Sequence, residues 1–477
     1  MMLSSSAVSY PAHRSWRTAL AIAAAAVLLC WPAFYNGYPL VYDDSASYLD
    51  TIDPAASNWA RSIFYTAFLR PFHLHVWLWP TIFVQSAILA HLIYVAARCV
   101  SIRLTPGIYL LLMLPLALTM LPWLTSMIMP HAFTGALVLG MFLLGFAQDR
   151  LGPVERWYVA LLTAAAATFH MSHLGLAAGL LIAILAMRLL LRWWGPLRLG
   201  PSAILAFPVV AAILAQVAVN SYARGSLSFA PASSIFLLAR FVADGTATAY
   251  LRDACPDRGY ILCAYLDQLP QGADEFLWPR DGVFRRAGGA RVLQDEARAI
   301  VIGTLRTYPG RQLAHTADHV MRQLVDLRIN SIMPATDPLS IPDYPIRIYI
   351  QGFFPGGYQD YLASRQSTGR LPIKMLNILH GSIAAASLIG GLLMMIAFIR
   401  RDDLVMVAFA FVIGTAWIGN AIITASVSGV FGHYQGRLAW VLTLYVVLGA
   451  LHLARDRLPA QRQEAIRLQD RPQVSRG

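Results

Sequence analysis

The chain has 477 residues, of which 57% are hydrophobic and 13% charged, and its net charge is +12. Soluble domains carry about 25% charged residues, so this composition excludes a soluble globular protein and points to an all-α polytopic membrane protein. The excess Arg lies at the ends of apolar runs, where positive charge sets topology, so no nucleic-acid partner is expected.

The first apolar run, Ala19 to Phe34, follows Arg14 and Arg17 and lacks a small-residue exit. It reads as a retained signal anchor. A membrane span needs about 20 apolar residues. Ten runs come close to this: about 18–34, 76–97, 105–123, 131–147, 157–171, 173–191, 203–222, 375–399, 404–426 and 435–454. The fifth and sixth form one stretch too long for a single span. The polar run His170-Met171-Ser172-His173 marks the turn inside it.

With ten alternating spans, six basic groups fall on one side: Arg14 and Arg17, Arg98 and Arg103, Arg150 and Arg156, Arg188 to Arg198, Arg400 and Arg401, and the tail 455–477. The positive-inside rule then makes both termini cytoplasmic, in what reads as a bacterial inner membrane. The periplasmic face holds two loops, 35–75 and 223–374. The organisation is therefore a membrane domain 1–222, a largely helical extracytoplasmic loop domain 223–374, three C-terminal spans within 375–454, and a basic cytoplasmic tail.

Within the large loop, Ser233 to Ala243 reads as an amphipathic helix lying on the bilayer. Residues 290–307 and 311–328 read as two amphipathic helices parted by Pro309-Gly310. The stretch Pro334 to Gly369, rich in Pro, Gly and Tyr, reads as an irregular cap. Cys255 and Cys263 are disulfide candidates if this loop faces an oxidising compartment, whereas Cys30 and Cys99 fall in or beside spans. His315 and His319 have helical spacing and read as a solvated face. Nothing in the sequence identifies a protein partner.

The spans are nearly free of charge, with no Asp, Glu, Lys or Arg between Arg103 and Asp149, Arg156 and Arg188, or Lys374 and Arg400. Ion-coupled carriers place ionisable groups at mid-membrane, so a pump is disfavoured and attention moves to the outer boundary. Asp43 and Asp44 lie just beyond span one. An acceptor hydroxyl needs a carboxylate to take its proton. A vicinal pair could also hold a divalent metal, although neighbouring side chains diverge. The structural alternative is a helix start over 45–50. Arg61 and Arg70 in the same loop suit a lipid phosphate, or serve as headgroup anchors. In Gly432-His433-Tyr434-Gln435-Gly436-Arg437, Arg437 either snorkels or reaches a phosphate, with Tyr434 and His433 beside it. His170 and His173 share a helical spacing that suits a substrate or phosphate contact. They lack an identifiable third metal ligand, so the metal assignment stays open. His131 is a weaker candidate of the same kind. No phosphate-cradling Gly loop and no nucleophile elbow appears.

The acidic pair after the first span, the segment from Arg61 to Arg70 leading into Pro71, and the Arg437 region together resemble the GT-C superfamily of integral membrane glycosyltransferases. That superfamily includes protein O-mannosyltransferases and bacterial aminoarabinose transferases. The resemblance implies a polyprenyl-phosphate-linked sugar as donor and Asp43 or Asp44 as the catalytic acidic residue. It also implies that Arg437 is a basic residue near the donor phosphate. The acceptor would be a cell-envelope glycan, a lipid or a protein. The large loop lies between spans seven and eight, whereas several relatives carry their soluble domain at the C-terminus. Two other readings share the topology. A lipid or polysaccharide flippase or exporter predicts polar residues along several spans, which are sparse. A non-catalytic scaffold leaves the acidic pair without a role.

Overall fold

The computed structural model describes residues 15–53, 59–100, 104–194, 200–225, 227–333 and 344–456. Arg14, Arg103, Arg198 and most of the basic tail lie outside the described residues, as does the 334–343 part of the expected cap. Among the described residues there is no strand, only an isolated parallel bridge between Leu40 and Met127.

The membrane part runs α1 (Ser15–Leu28), α2 (Trp31–Asn36), α3 (Asp43–Leu49), α4 (Ile63–His73), α5 (Trp79–Val100), α6 (Pro106–Ala117), α7 (Leu121–Thr125), α8 (Ala132–Phe146), α9 (Pro153–Phe169), α10 (Met171–Trp194) and α11 (Ser202–Arg224). The loop domain holds α12 (Ser233–Ala243), α13 (Thr246–Arg258), α14 (Ala273–Leu277), α15 (Val283–Arg286), α16 (Gly289–Thr307), α17 (Pro309–Val325), α18 (Pro345–Phe353) and α19 (Tyr358–Ala363). The chain closes with α20 (Ile373–Ile399), α21 (Leu404–Val427) and α22 (Gly432–Asp456).

Among the described residues, seven helical segments are long and apolar enough to cross a membrane: Trp16–Asn36, Trp79–Val100, Met171–Leu191, Ser202–Ala223, Ile373–Ile399, Leu404–Val427 and Gly432–Ala454. The other three expected spans are shorter helices. The 105–123 run breaks after 12 helical residues, with Pro115 near the end of α6 and Pro122 opening α7. At 1.5 Å per residue α6 covers about 18 Å, short of the bilayer's apolar core of about 30 Å. The 131–147 run is the 15-residue α8, and every residue of it is buried. A helix that is apolar all round sits either in lipid or inside protein. For α8 the surroundings are α5, α9, α10, α21 and α22. Gly135 and Gly140 permit that enclosure, since a Cβ at either would collide with the Trp440 ring or with Thr163 Oγ1.

The two ends of the bundle differ. At one end Arg98 pairs with Glu155 at 2.8 Å, Arg150 Nη1 donates to Cys99 O at 2.5 Å, and His452 lies 3.1 Å from Asp403. The other end gathers the C-termini of α9 and α21, the N-termini of α8, α10 and α22, and the segment that follows α2. That segment is pinned at three points. Leu40 N–H donates to Ser126 O and Leu40 O accepts from Ile128 N–H, both at 2.9 Å. Gln366 accepts from Val41 N–H at 3.1 Å and donates to Val41 O at 2.6 Å. Ser45 Oγ donates to Ile128 O at 2.8 Å. The acidic pair thus opens the seven-residue α3 on a fixed backbone.

Within the loop domain, α12 to α16 have a separate core, in which Leu238, Phe241, Phe276, Phe284, Leu293 and Ile300 meet, whereas Ile346 and Ile350 of α18 and Tyr361 of α19 join the core of the bundle. The buried side of α12, including Ile235, Leu238 and Phe241, packs on α16 and α14. This departs from the sequence expectation: the apolar face of α12 is covered by protein rather than laid on a bilayer. The break at Tyr308 between α16 and α17 falls where Pro309-Gly310 predicts it. Cys255 and Cys263 are joined by a disulfide. His319 does not belong to a solvated face. It is buried beside Asp244, which also accepts from Arg240 Nη2 at 2.7 Å and Gln312 Nε2 at 2.9 Å.

If α8 is the protein-enclosed hub, Gly135→Val should force Trp440 aside and cost about 1–3 kcal/mol, the usual penalty of overpacking a filled core. A thermal-unfolding midpoint in detergent that stays at the parent value would contradict this enclosure.

Candidate functional site

Asp43 and Asp44 are neighbours in sequence that face different surroundings. Asp44 forms an ion pair with Arg61. Arg61 also lies over the Trp278 ring, 5.3 Å from its centroid, and so ties the first loop to the loop domain. Trp59 extends this seam, with its ring 5.5 Å from both Phe236 and Phe284. Burial opposes the Arg61 charge, but Asp44 and then Tyr48 outweigh it and hold the guanidinium above its ordinary range. Asp43 keeps an exposed edge and is hydrogen-bonded to Tyr344. Protein packed around it pushes its carboxyl above the ordinary aspartate range. The Tyr344 hydrogen bond pulls the other way, and the Asp44 charge adds to the rise. The two carboxylates therefore do not converge as a chelate. Among the described residues no group of three or more His, Cys, Asp or Glu side chains is arranged to hold a metal ion.

Arg437 lies beneath this acidic mouth, in the second turn of α22. Its side chain is fully buried, so it does not snorkel. Nη2 donates to Asn420 Oδ1 at 2.6 Å and to Ser172 Oγ at 3.0 Å, and the guanidinium stands 5.1 Å from the Tyr434 ring centroid. Nε and Nη1 find no partner among the described residues. A buried guanidinium with unmet donors is costly. Asn420 is the hinge of the arrangement. It accepts from Arg437, and its amide donates to Tyr434 O and Gln435 Oε1, each at 2.7 Å.

A group of imidazoles adjoins the guanidinium. The ring centroids of His131 and His433 are 5.0 Å apart, those of His131 and His170 5.7 Å, and those of His170 and His173 5.3 Å. His170 Nδ1 contacts Ser172 Oγ at 2.8 Å, the oxygen that also meets Arg437. His173 is fixed by Thr134 Oγ1 at 2.7 Å and Ala166 O at 2.8 Å. His433 Nδ1 contacts Ser331 Oγ at 2.6 Å. Both ring nitrogens of His131 are buried without a partner among the described residues. Tyr48 links the two layers, since it lies within electrostatic reach of Arg61, Asp44, Tyr434 and Arg437. Arg61 and Arg437 likewise both act on His170.

Of the residues singled out from the sequence, Asp44, Arg61, His170, His173, Tyr434 and Arg437 thus form one assembly. Asp43 sits at its edge, toward Tyr344. Arg70 belongs elsewhere. It contacts His75 Nε2 at the end of α4. There His75 packs on Phe353 with centroids 4.8 Å apart and His73 packs on Phe354 at 5.4 Å. Burial, then the His75 and Arg70 charges, lower the His73 imidazole to about 4. Asn420, Ser172, Tyr48 and Tyr344 escape the sequence reading. Asn420 carried a visible signal, as the lone carboxamide in an apolar span. The other three are unremarkable in type and become important only through the fold.

This fold defines an all-helical, multi-span membrane protein with a polar assembly at one end of the bundle. Set against protein-family models, curated proteins and solved structures, the chain matches none.

Asn420→Leu should strip Arg437 of its shortest acceptor and leave Tyr434 O and Gln435 without their donor. A loss of about 1–3 kcal/mol is expected for such unmet buried groups, read as a lower thermal midpoint. Asn420→Asp keeps the acceptor and should fall less. Equal midpoints for Asn420→Leu and the parent would show that Asn420 does not support the guanidinium.

Proposed function

We propose that the chain is a membrane glycosyltransferase of the GT-C kind. It would move a sugar from a polyprenyl-phosphate-linked donor to an extracytoplasmic hydroxyl acceptor, such as a cell-envelope glycan, a lipid or a protein. The observation that carries this reading is the meeting of the acidic pair and Arg61 with the buried Arg437–histidine layer at one end of a charge-poor bundle. A carboxylate to take a proton and cations to receive a leaving phosphate are what such a transfer requires.

In this reading Asp43 is the base. It is the carboxylate not committed to a cation, it has an exposed edge, and its raised affinity for a proton suits the task. The acceptor hydroxyl gives its proton to Asp43 as its oxygen bonds to the anomeric carbon. The bond from that carbon to the phosphate oxygen breaks, and the polyprenyl phosphate leaves with the electron pair. Asp44 holds Arg61 toward the mouth, and the free N–H groups of Arg437 stabilise the departing phosphate. The Cys255–Cys263 disulfide favours an oxidising compartment for the loop domain, and so supports cytoplasmic termini in a bacterial inner membrane. A cavity of about 810 Å3 lies between α20, α21 and residues 322–328; none of the assembled site residues lines it, but its mostly apolar wall, with Arg322, Asp326 and Arg328, would suit a lipid chain and its headgroup. It would equally serve a flippase, and the carboxylate substitutions separate the two.

Asp43→Asn should lower transfer from a polyprenyl-phosphate sugar in proteoliposomes by about 10²–10⁴-fold, the usual contribution of a general base. Asp44→Asn should also impair transfer by freeing Arg61. Unchanged glycan transfer with both residues substituted, at normal protein levels, would sink the proposal.

The pH dependence supplies a second check. A base works only when deprotonated, so activity falls as pH drops through the raised Asp43 value. The Tyr344 hydrogen bond lowers that value, so Tyr344→Phe should move the acid limb of kcat/KM to higher pH. A limb that stays put or moves to lower pH would remove Asp43 from the role of base.

A further inference from the structure

The polarity of α17 is inverted with respect to the protein it packs on. At about 100° per residue, Leu313, Ala314, Ala317, Met321, Leu324 and Val325 share one side of this 17-residue helix. That side faces outward: Leu313 is 69% exposed, Met321 65% and Val325 78%. The buried residues are instead polar, namely Gln312, His319 and Gln323. They are used by the fold. Gln312 Nε2 donates to Asp244, His319 lies beside the same carboxylate, and Gln323 clamps the backbone of Phe431. Its Nε2 donates to Phe431 O and its Oε1 accepts from Phe431 N–H, both at 2.9 Å. Exposing an apolar stripe of this length to water would forfeit its burial.

We infer that the apolar side of α17 is a membrane-docking surface seated in the acyl-chain layer of the bilayer. Three observations select lipid as the occupant. First, α17 packs along span α21, and Trp417 Nε1 of that span donates to Leu324 O at 3.2 Å. Second, the stripe continues onto exposed apolar surface of the spans, alongside Arg322, Asp326 and Arg328, which line the same cavity. Leu324 and Val325 line the 810 Å3 cavity together with Ala384 and Leu388 of α20, and Leu388, Ile418 and Ile422 are exposed on their spans. Third, the exposed charges of α17, Arg311 and the Asp318–Arg322 ion pair, lie on the neighbouring arc, as on a helix at a headgroup boundary. The consequence is mechanical. Gln323 joins the docked helix to Phe431, two residues before His433, so the bilayer helps hold the turn that carries His433 and Tyr434. The inference does not depend on glycosyl transfer.

The test uses the full chain carrying Met321→Cys, Val325→Cys or Arg311→Cys, labelled with bimane and reconstituted into phosphatidylethanolamine–phosphatidylglycerol vesicles. The native thiols Cys30 and Cys99 are buried and the other two cysteines are bonded, so labelling is selective. Acyl-brominated lipid should quench the labels at 321 and 325 severalfold more than the label at 311, and aqueous iodide should show the reverse order. Equal iodide quenching at all three positions would place the stripe in water and overturn the inference. Protection of 321 and 325 from both quenchers would assign the stripe to a protein and overturn it equally. Should Met321→Cys fail to reconstitute, Leu313→Cys reports on the same side of the helix.

Discussion

The structure turns on a guanidinium held inside a helix bundle. Arg437 has no exposed surface, and among the described residues only one of its nitrogens is bonded, to Asn420 and Ser172. A charge is tolerated in such a place when its neighbours are arranged for it, and here the neighbours come from separate helices. Asn420 fixes the register of α21 against α22. Ser172 does the same for the start of α10, and passes the contact on to His170. The enclosure of α8 follows from the same requirement. Trp440 lies within a turn of Arg437 and packs where Gly135 has no side chain, which brings His131 at the head of α8 against His433.

Above that layer the part of the first loop from Leu40 to Ser45 is pinned to its neighbours. Its backbone is tied to residues 126–128 and to Gln366 before the acidic pair is reached. The short α3 then splits the pair. One carboxylate goes to Arg61 and the Trp278 seam, the other to Tyr344. Two identical residues thereby acquire different chemistry from their surroundings alone. Arg61 serves both sides of the seam, because it neutralises Asp44 and also anchors the loop domain over the mouth.

Much of this was legible in the sequence. The long apolar runs, the break at His170, the helix boundary at Tyr308 and the clustering of ionisable groups at one end all follow from local composition. So does the presence of Arg437 in a span that otherwise has no Asp, Glu, Lys or Arg before its far end. Of the ten expected spans, seven are long apolar helices among the described residues and three are shorter ones, of which α8 shows what hydropathy does and does not measure. Hydropathy measures the preference for leaving water, and α8 satisfies that preference inside protein. Arg70 looked equivalent to Arg61 because both sit in the same loop. Only the fold shows that α4 carries Arg70 to the His73–His75 turn instead. Ser172 and Tyr344 could not be chosen by type, since hydroxyl groups are common and only proximity gives these their roles.

The loop domain shows why an amphipathic pattern identifies a direction but not a medium. The sequence of α12 reads as an amphipathic helix lying on the bilayer. Yet its apolar face is spent on α16, as in any soluble helical core. α17 has an equally clear pattern, and its polar side is the one turned to protein, where Gln312, His319 and Gln323 all meet partners. In a soluble protein the inward side of a helix is apolar because water lies outside. Where hydrocarbon lies outside that rule loses its basis, and an interior made of hydrogen bonds to amide and carboxylate side chains becomes the consistent solution. Which side of such a helix is inward therefore depends on the buried polar partners, Asp244 and Phe431 in this case, rather than on the strength of the pattern.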